Sequence, residues 1–167
     1  FVEGISQQKW HKLLSNPRNP LRNRAVQSPY PPGSVFKLVV TSAALERNTL
    51  PLDEEFHCPG YYRLGNRVFR CWKEGGHGDV ALREAIKQSC DVYFYKLGEK
   101  LGIDAISEYA RSYGFQQETG IRLPEEDKGL IPSREWKERH IGRTWQEGET
   151  LNTAIGQGYT LTTPIQI

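Results

Sequence analysis

Residues 34–46 constrain the fold most strongly, because they read as a helix that is apolar on nearly every side. A helix of that kind is stable only when other elements bury it. The Pro-rich run at residues 28–33 cannot be helical, so the helix begins at Ser34. We therefore expect a buried helix within a piece that is mainly α.

The rest of the chain shows weaker periodicities. Apolar spacing and capping residues predict helices at residues 5–14, 79–88, 91–101 and 104–113, with a short helix after Ser133. Asp79 is the predicted N-cap of the second of these, and Gly102 ends the third. Residues 118–124 read as extended. Aromatic and β-branched residues flank a turn at residues 64–66, which predicts one small β-hairpin within residues 54–72.

Composition narrows the class of protein. The chain has 167 residues, of which 37% are hydrophobic and 25% charged, typical of one globular domain or part of a larger one. A net charge of +2 is too small to predict a nucleic-acid partner. No apolar run reaches the roughly 18 residues that a membrane span needs. No motif indicates an organic cofactor.

Ser34 and Lys37 form the strongest candidate for chemistry. A Ser followed three residues later by Lys at a helix start places both side chains on one face. The partial positive charge of the helix N-terminus would stabilise an alkoxide, so Ser34 is a candidate nucleophile and Lys37 its base. The alternative is that Ser34 is only an N-cap.

Ser89 and Asp91 lie at the junction between two predicted helices, where short polar side chains can point into a cleft. The alternative is that one of them only caps the helix that follows.

Cys58, Cys71, His77 and Cys90 use every cysteine of the chain. Cys58 and Cys71 flank the hairpin turn, so we expect them side by side at its open end, with His77 in a flexible Gly-rich loop nearby. Three thiolates and one imidazole are a standard set for structural zinc, which predicts a hairpin and metal subregion at about residues 54–78. The alternatives are a disulfide with one spare thiol, or three unrelated buried thiols. His57 is the rival ligand.

Several segments together resemble class B penicillin-binding proteins. They are residues 20–25 (PLRNRA), 30–37 (YPPGSVFK), 91–95 (DVYFY), 119–124 (TGIRLP) and 155–159 (IGQGY). Residues 132–137 (PSREWK) and 145–148 (WQEG) are similar to the elongation type, penicillin-binding protein 2. Asp91 stands where most of the wider family has Asn.

The resemblance implies a fold and an activity. We expect all 167 residues to be the helical half of the α/β fold shared by serine transpeptidases and β-lactamases, with most of the central sheet outside them. The family's Lys-Thr-Gly motif does not occur in the chain, so we expect it beyond Ile167 and expect this piece to be inactive alone. The implied activity is D,D-transpeptidation, which crosslinks peptidoglycan during cell-wall elongation.

The resemblance also implies residue roles. Ser34 attacks the carbonyl between the two terminal D-alanines of a stem peptide, while a neutral Lys37 accepts its proton. Ser89 relays a proton to the departing D-alanine. Asp91 holds the donor's amide or tunes Lys37. An amine of a second stem peptide then resolves the acyl-enzyme, and β-lactams acylate the same serine. Similar positions hold a metal in some members of the group.

Partners and location follow from the same resemblance. We expect the full-length protein to be anchored in the bacterial inner membrane, with this domain on the periplasmic side, beside a membrane glycosyltransferase of the elongation machinery.

Three other functions are the alternatives to a transpeptidase. They are a β-lactam sensor domain, a serine β-lactamase-like domain and a zinc-stabilised interaction module.

Overall fold

The computed structural model describes residues 2–51 and 53–167. Helices dominate these residues, and the strands are short. The helices are α1 (Gln7–Leu14), α2 (Arg24–Gln27), α3 (Lys37–Glu46), α4 (Leu82–Lys87), α5 (Asp91–Ser112), α6 (Arg134–Ile141) and α7 (Glu147–Ala154), with 3-10 turns at Gly33–Phe36 and Pro164–Gln166. The strands are β1 (Phe56–Cys58), β2 (Tyr61–Leu64), β3 (Arg67–Arg70) and β4 (Gly78–Val80).

Helix α5 is the centre of the core, and α3 and α7 pack against it. Its first turns bury Val92, Phe94 and Leu97 completely. Gly98 allows α7 to approach closely, because a Cβ at that position would lie 2.6 Å from the Cβ of Ala154. The polar groups at the start of α5 are therefore held by a packed interior.

Helix α3 is less enclosed than its composition predicts. Val40 and Ala44 are fully buried on the side that faces α5, whereas Leu38 and Leu45 are exposed. The predicted burial of this helix therefore fails at Leu38 and Leu45, while six of its ten residues are buried as expected.

Helix α5 runs through the predicted break at Gly102. The backbone there is non-helical, with φ 75° and ψ 161°, so the helix is kinked where the sequence predicts an end. The helix predicted at residues 104–113 is the part of α5 that follows this kink, so the predicted break at Gly102 is confirmed.

The β-structure is richer than the single predicted hairpin. Strands β2 and β3 form that hairpin, with Gly65 and Asn66 in its turn. A second antiparallel pair joins β1 to β4. Asp79 therefore lies in β4 and is not an N-cap, because the backbone of β1 is available as a pairing partner. Ala81 takes the N-cap position of α4.

Residues 118–124 form no strand and are irregular. Within residues 2–51 and 53–167, no helix is long and apolar enough to cross a membrane.

Candidate active site

Ser34 and Lys37 are brought together by a tight first turn. The chain forms a 3-10 turn over Gly33–Phe36 and becomes α-helical only from Lys37, so the predicted α-helix from Ser34 starts late. In a 3-10 turn, residues three apart are eclipsed. The Nζ atom of Lys37 accordingly lies 3.3 Å from Oγ of Ser34.

Lys37 contacts every other polar residue of the site and is almost completely buried, with 2% of its surface exposed. Its Nζ atom lies 2.8 Å from Oγ of Ser89, 2.9 Å from the carbonyl oxygen of Ser89 and 2.7 Å from Oδ1 of Asp91. Oγ of Ser89 donates to Oγ of Ser34 at 2.7 Å. We call Ser34, Lys37, Ser89 and Asp91 the catalytic corner.

The contacts of Lys37 outnumber its protons. Four oxygen atoms surround Nζ, while an ammonium has three N–H groups. A neutral amine would keep two N–H donors and one lone pair, and the lone pair could accept from a serine hydroxyl. The corner is therefore built so that a proton can move among Nζ and the two hydroxyls.

Ser89 reaches the corner through an unusual backbone conformation. Its φ is 52°, in the left-handed region that a non-glycine residue occupies at a cost of about 1–3 kcal/mol. The turn follows α4 and is closed by a hydrogen bond from the Cys90 N–H to the Ala85 carbonyl at 2.9 Å. This sharp turn lets both the carbonyl and the hydroxyl of Ser89 face Lys37.

A cavity of about 370 Å³ opens over Ser34 and is also lined by Ser89, Asp91, Trp72 and Gln157. Sequence reasoning did not single out Trp72. Its backbone N–H donates to Oδ2 of Asp91 at 3.0 Å, and its indole N–H donates to the Ser89 carbonyl at 3.0 Å. The residue is 64% exposed and lines the cavity. The available signal was a Trp placed directly after Cys71, at the open end of the hairpin.

Gly156 fixes the chain just before Ser34. The Gly33 N–H donates to the Gly156 carbonyl at 2.9 Å. Gly156 has a φ of 70°, and a Cβ on it would overlap the Gly33 backbone. The segment 155–159 therefore supports the nucleophile by direct backbone contact.

The three cysteines and His77 also meet, behind the corner. Nδ1 of His77 lies 3.5 Å from Sγ of Cys58 and 3.6 Å from Sγ of Cys71. The ligand atoms of all four residues, Cys90 included, lie within 4.8 Å of one another. We call these four residues the cysteine cluster. All three thiols are free, so the disulfide alternative is wrong in this structure.

The spacing and chemistry of the cluster fit a zinc ion. A tetrahedral zinc with ordinary Zn–S and Zn–N bonds sets its sulfur and nitrogen ligands about 3.6 Å apart, matching both His77 distances. Burial lowers the pKa of His77, which leaves its ring neutral. Burial raises the pKa of the Cys90 thiol to about 12, so at neutral pH this thiol would release its proton to solvent only when a cation binds its sulfur.

His57, the rival ligand, is outside the cluster. Its Nδ1 atom lies 2.8 Å from Oδ1 of Asp79, and both side chains are exposed. The pairing of β1 with β4 directs His57 and Asp79 away from the buried thiols.

Comparisons with known proteins agree on one family. The family model for the penicillin binding protein transpeptidase domain matches residues 5–167. The peptidoglycan D,D-transpeptidase MrdA of Haemophilus influenzae is 41% identical over 169 residues, an alignment that covers 100% of this chain and 26% of that protein. The chain thus spans about a quarter of the length of the curated relatives it matches.

Two solved structures extend the likeness to three dimensions. Penicillin-binding protein 2 of Helicobacter pylori, in complex with MreC, superposes with a TM-score of 0.92 at 44% identity, covering 98% of this chain and 31% of that chain. A chain of a peptidoglycan synthase complex that coordinates polymerization and crosslinking gives a TM-score of 0.88 at 38% identity, with coverage of 98% and 28%. The predicted helical fold and family resemblance are confirmed, and the chain belongs to the penicillin-binding protein transpeptidase domain family.

Proposed function

We propose that the catalytic corner is the acyl-transfer centre of a peptidoglycan D,D-transpeptidase in the full-length protein. One observation carries the proposal. Nζ of Lys37 lies within hydrogen-bond distance of the hydroxyls of Ser34 and Ser89, and these hydroxyls contact each other. A nucleophile, a base and a relay in mutual contact form the arrangement that covalent catalysis needs.

In the proposed reaction, Oγ of Ser34 attacks the carbonyl carbon between the two terminal D-alanines of a stem peptide. Neutral Lys37 accepts the hydroxyl proton as the C–O bond forms. Ser89 passes a proton to the nitrogen of the leaving D-alanine as the C–N bond breaks. The Ser34 N–H supplies half of an oxyanion hole, and the family's Lys-Thr-Gly strand supplies the rest. An amine of a second stem peptide then displaces Ser34 from the ester.

Asp91 acts on Lys37 in this proposal. Its Oδ1 atom contacts Nζ of Lys37, and its Oδ2 atom accepts the Trp72 backbone N–H. Both oxygens therefore have protein partners, which favours orientation of Lys37 over a direct contact with the donor amide.

A labelled penicillin tests the nucleophile. In the full-length protein the label should attach to Ser34, because a β-lactam acylates the same hydroxyl, and Ser34→Ala should abolish labelling. Ser42→Ala, which removes a half-buried hydroxyl from α3 outside the catalytic corner, is the matched control. Normal labelling of Ser34→Ala would refute the assignment. Turnover of a peptide that ends in D-Ala-D-Ala separates a transpeptidase from a β-lactam sensor.

We further propose that Cys58, Cys71, His77 and Cys90 hold one structural zinc ion. Four protein ligands leave no open position for water, so the metal would crosslink the hairpin to the start of α5 and supply no catalytic chemistry. The test is metal analysis of full-length protein purified without added zinc, with Cys71→Ser for comparison. A stoichiometry near zero in the unaltered protein would refute the proposal.

The surroundings of the full-length protein are proposed from its relatives. One is named as a complex with MreC and another as part of a peptidoglycan synthase complex. We propose an inner-membrane anchor, a periplasmic location for this domain and a membrane glycosyltransferase of the elongation machinery as partner. Co-purification of that glycosyltransferase with the full-length protein from bacterial membranes tests the partnership.

A further inference from the structure

A second cavity lies across Trp72 from the catalytic corner. It measures about 460 Å³ and is lined by Tyr61, Val68, Arg70, Trp72 and Glu74. Trp72 also lines the cavity over Ser34, so this residue borders both cavities. A ligand in the second cavity would therefore be separated from the cavity over Ser34 by Trp72.

Two side chains of this second cavity, Tyr61 and Val68, are not required by the core. In the hairpin, Tyr62 pairs with Phe69, and both rings face Tyr95 on the inner side. The alternation of a strand places Tyr61 and Val68 on the opposite side, where they are 47% and 49% exposed. An exposed aromatic and an exposed branched residue beside a catalytic cleft form an apolar floor for a ligand.

The charges of the second cavity are mixed. Arg70 brings a cation and Glu74 an anion, and neither has an ion-pair partner within residues 2–51 and 53–167. A ligand with both carboxylates and a free amine complements this pair. A polyanion such as nucleic acid would be repelled by Glu74.

The walls of the second cavity are held in place before any ligand arrives. The Cys71 N–H donates to the Gly60 carbonyl at 2.8 Å, closing the end of the hairpin. The indole N–H of Trp72 donates to the carbonyls of Gln88 and Ser89, at 3.1 Å and 3.0 Å. A fixed ring loses little entropy when a ligand packs on it.

We propose that this second cavity binds the acceptor stem peptide, an inference that rests on the proposed function. Arg70 binds a carboxylate of the acceptor, Glu74 binds its ammonium group, and Tyr61, Val68 and Trp72 contact its aliphatic parts. The ammonium then leaves Glu74 and loses one proton to solvent, and the neutral amine nitrogen crosses the edge of Trp72 to attack the ester carbonyl on Ser34. The C–N bond forms, the ester C–O bond breaks, and a second amine proton passes through Ser89 to Oγ of Ser34.

The experiment measures how the acyl-enzyme of the full-length protein partitions between amine and water. The donor is a pentapeptide ending in D-Ala-D-Ala, and the acceptor is an N-acetylated stem tetrapeptide with a free side-chain amine. Arg70→Gln and Glu74→Gln should each lower the ratio of crosslinked to hydrolysed product about tenfold, the effect of losing one charge-assisted hydrogen bond. Acylation by penicillin should stay within about twofold of the unaltered rate, since neither side chain touches the catalytic corner.

Arg63→Gln is the matched control, because it removes the same charge from the same outer side of the hairpin without lining the cavity. Its product ratio should be unchanged. An unchanged ratio in Arg70→Gln and Glu74→Gln would overturn the acceptor site. So would an equal fall in penicillin acylation, which would mean that the hairpin only supports Ser34. Absence of acylation in the unaltered protein would instead refute the proposed function itself.

Discussion

The catalytic corner and the cysteine cluster meet at the start of α5 but are completed in different ways. In the corner, every polar side chain has a hydrogen-bond partner within the protein at 3.3 Å or less. In the cluster, the contacts of His77 with two sulfur atoms are 3.5 Å and 3.6 Å long, and thiols form only weak hydrogen bonds. The corner is complete within the protein, whereas the cluster is three buried thiols that lack a strong partner.

Successive residues serve the two regions. Ser89 and Asp91 line the cavity over Ser34, while Cys90 between them is fully buried in the cluster. A change on one side of this short segment must therefore reach the other through the backbone. The proposed metal behind the segment would therefore affect acylation without touching any reacting atom.

The largest effect should come from Lys37→Arg. Arg keeps the positive charge and cannot lose its proton near neutral pH, so acylation of Ser34 should fall about a hundredfold to ten-thousandfold. Circular dichroism should show an intact fold. Lys87→Arg, on the exposed face of α4, is the control and should acylate normally. Ordinary acylation of Lys37→Arg would show that Lys37 is structural and that the corner lacks its base.

The next effect concerns residues 1–167 in isolation. They should react with penicillin about a hundredfold to a thousandfold more slowly than the intact domain, because the proposed oxyanion hole is only half present. Stopped-flow or gel-based labelling of both proteins gives the ratio. Equal rates would mean that the catalytic corner is sufficient without the Lys-Thr-Gly strand.

Removal of the proposed zinc should have a smaller effect. A ligand present at about a hundred times its dissociation constant stabilises a protein by about 2.7 kcal/mol. Chelation should therefore lower the Tm by about 5–10 °C, and it should slow acylation by less than tenfold because Ser89 loses support. Cys71→Ser should show the same loss without chelator. Unchanged thermal stability on chelation would refute the idea that a metal in the cysteine cluster supports the catalytic corner.

The smallest effect should come from His57→Ala. Its ring contacts exposed Asp79 and lies outside the cluster, so zinc stoichiometry should not change. Exposed ion pairs contribute about 0–1 kcal/mol, and the Tm should shift by no more than about 4 °C. Loss of metal from this variant would show that the ligand set has been assigned wrongly.

Local spacing predicted the parts of the site that are local. A Ser and a Lys three positions apart face the same way in either an α-helix or a 3-10 turn, so the Ser34–Lys37 contact did not depend on the exact helix type. The turn at Gly65 likewise placed Cys58 and Cys71 near each other. These are short-range consequences of backbone geometry.

Pairing between distant segments could not be predicted in the same way. Strands β1 and β4 have three residues each and carry no recognisable alternation, so Asp79 was interpreted as a helix cap. The hydrogen bonds of Trp72 depend on where the end of the hairpin packs against α5, which is set by tertiary structure and not by local sequence. The left-handed backbone of Ser89 has no sequence signature either, since Gly and Asn are the usual residues there.

Under the proposed function, the contact between Gly33 and Gly156 restricts how the full-length protein can escape a β-lactam. Any side chain at position 156 would displace the turn that presents Ser34, so a mutation there that excludes an antibiotic also disables the nucleophile. Selection for drug resistance in the gene should therefore leave codon 156 unaltered and act on Gln157 beside it, whose side chain is exposed at the cavity.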